Sequence, residues 1–442
     1  MTGDQRALTV GLLGLGVVGS GVVRLLHDHA DEIAGRVGAR LQVGPVAVRD
    51  RTKPRDVEAM HALHAAGATL TDDPSAVVGA DGVDIVVEVM GGVDPARDLL
   101  LAALKSGQSV VTANKELIAT HGAELLSAAQ EQSVRLEYEA AVAGAIPIIK
   151  PMRESLAGDR VRKVLGILNG TTNYILTRMT EEGADLEPVL AEAQDLGYAE
   201  KPDPSADVDG HDAAAKAAIL ASLAFDAEVT RDQVFTEGIR DVTATDIAHA
   251  HRMGYVIKLL GIAEEVEVDG QRAIGVRVHP AWVPAEHPLA SVREAFNAIF
   301  VQADAAGALM FYGRGAGSLP TASAVVGDVV PAARALLAGE QLPRVSVARK
   351  PIRPIDDAIV QYYVLLDVLD EAGVLAAVAA TFGDHDVSIK SVWQEGEEDH
   401  AQLLLVTHAA REGNVQACAA ALEELDVVRS VASLMRVEGR EV

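Results

Sequence analysis

The sequence predicts an α/β chain in three parts: a doubly wound parallel sheet at the N-terminus, an α+β middle region, and a C-terminal ferredoxin-like βαββαβ unit. Three observations predict it. A glycine-rich turn joins a short apolar run to a helical stretch near the N-terminus. Val/Ile-rich runs then alternate with helical stretches up to about residue 145, the pattern of a parallel sheet covered on both faces. The last segment changes period in the order βαββαβ. The boundaries fall at 1–145, 146–330 and 359–442, with 331–358, rich in scattered Pro and basic residues, as a linker. The length of 442 residues suits roughly three domains at about 150 residues each.

Composition narrows the function classes. Hydrophobic residues are 49% and charged residues 23%, so a folded core is expected rather than disorder or a coiled coil. The net charge of −26 repels phosphate backbones and anionic lipid, which argues against nucleic-acid and membrane partners. The lone Cys418 forms no intrachain disulfide and anchors no zinc or iron–sulfur cluster, which fits a reducing cytoplasm. Ala7–Val23 is a 17-residue uncharged run, but it holds five glycines and lacks a following Ala-x-Ala-like cleavage site. It reads as strand and turn.

Residues 7–13 form the first strand, followed by Gly14-Leu15-Gly16-Val17-Val18-Gly19 and a helix. The first glycine permits the tight turn, the second lets backbone approach a pyrophosphate, and the third lets helix and strand pack closely. The helix N-terminus then offers its orphan N–H groups to the phosphates. Strand context makes this a Rossmann-type dinucleotide fingerprint. Further strands are expected at 41–50, 83–92, 108–114 and 134–142. The second of the sheet's strands ends in Val48-Arg49-Asp50-Arg51-Thr52-Lys53. Arg49, Arg51 and Lys53 cluster where a ribose 2′-phosphate would lie, which favours NADP, while Asp50 keeps NAD open. At another strand end, Lys115 opens a helix, where a cation opposes the helix dipole. Such a broken local rule at a strand's carboxyl end marks a site.

In the middle region, Gly166-Ile-Leu-Asn169-Gly170-Thr171-Thr172-Asn173 follows an apolar strand, RKVLG, and offers small hydroxyl and amide groups at a strand–helix junction. Between Glu200 and Asp212, five carboxylates fall within 13 residues, and an alanine-rich helix follows. Asp212 and Lys216 are i,i+4 and share a helix face. The spacing does not meet the EF-hand pattern, so calcium is not expected. A pocket that holds a cationic amine and sets one Lys beside carboxylates for proton transfer is the functional reading; a capped helix with a surface ion pair is the plain one. A second glycine-rich loop, Gly313 to Gly317, leads into a small-residue helix and either faces the cofactor or packs domains together.

At this point the motifs resemble a known family. GLGVVG, TANKELI, EAAVAGAIPII, GILNGTTNYIL, GYAE…DVDGHDAAAKAAIL and GRGAGSLPTASAVVGD occur in this order in homoserine dehydrogenases, and DEAGVLAAVAATFGDHDVSI resembles an ACT domain, an amino-acid-sensing module. The resemblance covers nearly the whole chain. It implies NAD(P)-dependent interconversion of L-homoserine and L-aspartate 4-semialdehyde, with 146–330 as catalytic and dimerisation domain. It makes Lys216 the proton donor and Lys115 a bridge between cofactor and substrate. Glu200, Asp207 and Asp212 hold the substrate ammonium or orient Lys216, and Thr172 and Gly197 line the pocket. Gly315 and Gly317 join the cofactor site. A monovalent cation, sodium, is held by the Glu139 carboxylate and the carbonyls of Val142, Gly144 and Ile146. L-Threonine binds near Asp370, Gly373 and Val374, and assembly is a homodimer or homotetramer. Removal of everything after about residue 350 should then leave an active, insensitive enzyme. The chain departs from many relatives by one extra residue between Glu200 and Asp207, which loosens the Glu200 assignment.

Aspartate-semialdehyde dehydrogenase is a rival of the same pathway, but it needs a nucleophilic Cys, and Cys418 lies in the C-terminal module. A catalytically dead sensor is a second rival; the presence of Lys115 and Lys216 argues against it.

Overall fold

The computed structural model describes residues 7–268, 270–340, 349–397 and 400–439. The chain folds as two compact units. One comprises Met1–Val164, Ala215–Gln233 and Phe296–Lys350, the other Leu165–Ala214, Val234–Ala295 and Pro351–Val442.

The first unit is built on six parallel strands: β1 (Leu8–Leu13), β2 (Leu41–Ala47), β3 (Leu70–Thr71), β4 (Ile85–Glu88), β5 (Ser109–Thr112) and β6 (Leu136–Glu137). Their order is β3-β2-β1-β4-β5-β6, that of a dinucleotide-binding fold. Leu8, Val10, Leu12, Val46, Ile85, Val87 and Val111 are fully buried, which explains near-continuous apolar runs where a half-exposed strand would alternate. β3 has only two residues and escaped the sequence pattern. β6 is shorter than the expected 134–142, because the chain turns into a 3-10 segment at Glu139–Ala141.

The helix Ser318–Ala338 belongs to this unit and lies along the first helix, Val17–Asp28. A Cβ on Gly21 would stand 2.9 Å from the Ala322 Cβ, so a side chain there would force the helices apart. The linker expected from residue 331 therefore begins later, since ordered helix continues to Ala338; residues 341–348 lie outside the described part. By length and hydropathy alone this helix could cross a membrane. Its Ala322, Val325, Val329, Ala332 and Ala333 are instead fully buried in the core beside the sheet.

In the second unit, two 14-residue strands, Tyr255–Val268 and Gln271–Pro284, form a long antiparallel hairpin. The C-terminal strands Ile359–Val368, Ile389–Glu397, His400–Thr407 and Val428–Val437 interleave with helices Val374–Asp384 and Glu412–Glu423 in the expected βαββαβ order. This module is not a detached bead. Its last strand pairs in parallel with the hairpin, Ala281 opposite Arg436 and Trp282 opposite Val437. Charges are buried along that seam. Arg277 donates to Glu438 at 2.5 Å and Glu264 at 2.7 Å, and Arg436 donates to Glu412 at 2.6 and 3.1 Å and to Glu237 at 2.7 Å. Trp282 stacks on Tyr363 with centroids 4.0 Å apart, and the Tyr363 hydroxyl lies 2.9 Å from His249 Nδ1. Truncation after residue 350 would remove one side of this seam.

Candidate active site

The fingerprint turn presents backbone where side chains would obstruct. Gly14 sits at φ 106°, a left-handed conformation that favours glycine. A Cβ on Gly19 would stand 2.4 Å from the Gly14 carbonyl oxygen, so only glycine allows this approach of helix to turn. Above Gly16 a Cβ would meet nothing within 4 Å. Gly16 is also the N-cap of the helix Val17–Asp28, and no side chain caps the first N–H groups. Leu15 is buried beneath the turn and Val17 is exposed above it. These features fit a bound dinucleotide.

Past β2, Arg49, Asp50, Arg51, Thr52, Leu70 and Asp72 line a concavity of about 600 Å³. Asp50 Oδ1 accepts both the Thr52 N–H (2.8 Å) and the Thr52 hydroxyl (2.6 Å). The hydroxyl above all, then the amide, lowers its pKa. Arg55 braces the loop by donating to the Asp50 and Lys53 carbonyls at 2.6 and 2.7 Å. The acid that would suit a ribose 2′-OH is thus engaged by its own turn, while Arg49, Arg51 and Lys53 are exposed.

At the ends of β4 and β5 a buried polar lattice sets Lys115. Glu88 accepts the Thr112 hydroxyl at 2.6 Å and the N–H groups of Met90 and Gly91 at 2.7 and 3.1 Å. Asn114 caps the helix Lys115–Gln132 by accepting the Leu117 N–H, and its Nδ2 donates to the Gly92 carbonyl at 2.6 Å. Lys115 is the first helical residue and half-buried.

The proposed cation loop and the second glycine loop touch. Ala145 N–H donates to the Arg314 carbonyl, and a Cβ on Gly144 would lie 2.4 Å from the Gly315 oxygen. Gly317 adopts φ 129° and leads to Ser318, whose hydroxyl donates to the Val17 carbonyl at 2.7 Å, so this loop sits beside the fingerprint helix. Ala143 and Gly144 both have positive φ, between Val142 and Ile146. The Glu139 carboxylate is largely engaged: Oε1 accepts the Ile148 and Ile149 N–H groups at 2.5 and 2.7 Å, and Oε2 that of Lys150 at 3.0 Å. Asp328, fully buried, accepts the Glu139 N–H at 2.7 Å and pairs with Lys150 at 2.7 Å; the sequence reading missed it.

The acidic stretch sorts into unequal parts. Asp203 accepts the Ser205 N–H at 3.0 Å in its own turn, and Asp209 pairs with Arg240. Glu200 is exposed, and its carbonyl accepts the Gln194 amide at 2.9 Å. Asp207 and Asp212 are brought together by Asn169, whose Nδ2 donates to Asp207 Oδ1 at 2.6 Å and Asp212 Oδ2 at 2.9 Å. Asn169 Oδ1 accepts the Thr172 N–H at 2.8 Å and hydroxyl at 3.0 Å, capping the helix Gly170–Glu182. The Thr172 hydroxyl is therefore turned to Asn169. Thr171 donates to the Tyr198 carbonyl at 2.8 Å and pins the loop that begins at Gly197, which has φ 77°. Asp212 and Lys216, each under a tenth exposed, lie one turn apart on the helix His211–Ala224. The role of Asn169 was not read from the sequence; its signal was an amide directly before a helix that starts Gly-Thr-Thr.

In the C-terminal module, Gly373 takes φ 99° as the N-cap of the helix from Val374, and Asp370 accepts the Gln394 amide at 3.4 Å. Asp370 and Gly373 are exposed, and Val374 is buried.

Comparison with known proteins supplies the family. The family model described as homoserine dehydrogenase matches residues 147–330, its NAD-binding domain matches 14–139, and an ACT domain matches 362–427. A homoserine dehydrogenase of Mycobacterium tuberculosis is 51% identical over 447 residues, covering 99% of each chain. The crystal structure of a homoserine dehydrogenase from Thiobacillus denitrificans superposes with a TM-score of 0.90 at 41% identity, covering 98% of this chain and 99% of that one. A hyperthermophilic archaeal homoserine dehydrogenase in complex with NADPH gives a TM-score of 0.62 at 27% identity, covering 77% of this chain and 100% of that one.

Proposed function

Because the chain belongs to the homoserine dehydrogenase family and is an NAD(P)-dependent oxidoreductase, we propose how its own residues reduce L-aspartate 4-semialdehyde to L-homoserine. Asp207 and Asp212 bind the substrate ammonium, and Lys216 gives a proton to the aldehyde oxygen as that carbon gains hydride. Bound NADPH supplies the hydride. Lys115 bridges cofactor and substrate, Gly197 and Thr172 shape the pocket wall, and Glu200 contributes from the loop rim. The glycines of the fingerprint receive the pyrophosphate with Gly315 and Gly317 alongside, and Arg49, Arg51 and Lys53 receive a 2′-phosphate. The observation that carries this reading is the pair of carboxylates tied to one amide, with a lysine one turn beyond on the same helix.

A lysine ammonium is the competent acid for reduction. Homoserine oxidation needs the same group deprotonated, so that direction gains rate as pH rises. Sodium would be held by one Glu139 oxygen and the carbonyls of Val142, Gly144 and Ile146. L-Threonine would bind the module near Asp370, Gly373 and Val374 and inhibit. The enzyme would work in the cytoplasm as a homodimer or homotetramer, in threonine and methionine biosynthesis. The test follows NADPH absorbance with L-aspartate 4-semialdehyde, with and without millimolar threonine. Turnover is expected; its absence overturns the catalytic reading, and indifference to threonine overturns the regulatory one.

A further inference from the structure

We propose that Asn169 is a positioning residue that keeps Asp207 and Asp212 side by side as two anions; this rests on the reading of that pair as the site of the substrate ammonium. Asn169 is 4% exposed, so its hydrogen bonds are made away from bulk water. Its amide orientation is fixed from both ends: two donors of Thr172 meet Oδ1, and two carboxylate oxygens meet Nδ2. An amide nitrogen carries two hydrogens, so both are used.

Two carboxylate oxygens within hydrogen-bond distance of one nitrogen lie close enough to repel. Such pairs relieve the repulsion by taking up a proton, unless donors favour the charged form. Asn169 gives each carboxylate a donor and adds no charge of its own. Together with the Lys216 ammonium one turn from Asp212 on the same helix, it thus preserves the double negative charge that a primary ammonium requires. It also couples the pair to the helix Gly170–Glu182, because the same side chain caps that helix. Asp207 lies 38 residues from Asn169 in sequence and Asp212 43, so the bridge ties the acidic stretch to a helix start remote in sequence.

The cap and the bridge are separable. Asn169→Asp keeps the size and the capping oxygen, since Asp caps helices as well as Asn, but it replaces the donor with an acceptor. In the full-length enzyme, kcat and KM for aspartate semialdehyde are measured from pH 6 to 9, with NADPH affinity by fluorescence and the unfolding midpoint as controls. Asn169→Asp should lower kcat/KM about 100-fold at pH 8, the scale of a displaced site group. The deficit should narrow towards pH 6, where the introduced carboxyl, once protonated, again donates one hydrogen bond. NADPH affinity should stay within about twofold, because no cofactor contact is altered. Wild-type kcat/KM at pH 8, or a deficit equal at every pH, overturns the proposal. If that variant does not fold, Asn169→Ala decides: its acid limb should move to higher pH as the unbridged carboxylates protonate more readily, and an unmoved limb overturns the proposal. Failure of the wild-type enzyme to turn over the substrate would instead remove the functional reading before any variant is compared.

Discussion

The parallel sheet of the first unit and the hairpin-plus-module sheet of the second bury polar groups in opposite places. In the first, mid-strand positions are apolar and buried polar residues stand at strand ends: Glu88, Thr112 and Asn114 at the carboxyl ends of β4 and β5, Ser109 at the amino end of β5. In the second, Arg277, His279, Lys258 and Arg436 are buried within the strands themselves. A buried charge is therefore not by itself the mark of a site. At a strand's carboxyl end in an open α/β sheet it faces a ligand crevice; within a strand seam it holds two pieces of protein together.

The largest effect should come from the proposed proton donor. Lys216→Ala is expected to lower turnover by about 10²–10⁴-fold, the usual scale of a lost general acid. NADPH binding, measured by fluorescence, should be nearly unchanged. A variant that keeps near-normal rate removes Lys216 from the acid role and makes its burial a matter of packing, as in the seam.

The seam should respond the other way, in stability rather than rate. Arg277→Met takes away the cation that Glu438 and Glu264 both meet, and breaking a buried pair from one side costs about 3–5 kcal/mol. Replacing both, Arg277→Met with Glu438→Leu, should recover much of that loss, because two apolar groups leave less uncompensated charge. Denaturant melts of the three proteins give the comparison; an equal loss in the double variant would mean that the seam depends on the ion pair as such. Truncation after residue 350 should lower stability further, by removing the strand that covers Ala281 and Trp282, and should not yield a freely active core.

These contrasts also explain what the sequence made legible. The parallel sheet was readable because its strands, covered on both faces, are apolar runs, and because Gly14, Gly16 and Gly19 punctuate the first turn. The βαββαβ order was readable from period changes alone. The long hairpin was missed, although the Asp-Gly pair at 269–270 between two apolar-rich runs is a hairpin signal. The seam was not readable at all: Arg277 and Glu438 are 161 residues apart, and nothing local distinguishes a buried arginine from an exposed one. In the site, the carboxylates were visible as a cluster. Which of them Asn169 gathers was not, since Asp203 is taken up by the Ser205 N–H of its own turn and Asp209 by an arginine that only tertiary structure reveals.

Lys258 sharpens the comparison within the second sheet. It is 2% exposed and donates to Asn173 Oδ1 at 2.9 Å and the Val292 carbonyl at 2.5 Å, while Arg277 meets carboxylates. Burial lowers its pKa to about 8. A lysine whose folded pKa lies below its unfolded value adds stability above the unfolded pKa, and that stability is lost as pH falls through the folded one. Between about pH 8 and 10.5 the wild type should therefore gain stability relative to Lys258→Met, by at most about 3 kcal/mol. Unfolding midpoints of both proteins at pH 7.5 and 9.5 give the test; a constant difference would mean that the ammonium is fully compensated by its two acceptors.

The smallest effect belongs to the exposed cations past β2, and there the comparison between site charge and structural charge can be made within one loop. Arg55 holds loop carbonyls, whereas Arg49 and Arg51 line the concavity. Replacing Arg49 or Arg51 with Ala should weaken NADPH by about fivefold each, the scale of a solvent-exposed charge pair. NADH binding should stay unchanged, since it lacks the 2′-phosphate, and the NADPH deficit should shrink at high salt as screening replaces the lost contact. Arg55→Ala should weaken both cofactors together, because it loosens the loop rather than removing a partner of one phosphate. If Arg49 and Arg51 variants lose NADH and NADPH equally, their role is that of Arg55. If Asp50→Ala then weakens NADH alone, the carboxylate leaves Thr52 for the ribose when NAD binds, and the loop serves both cofactors by exchanging one hydrogen bond for another.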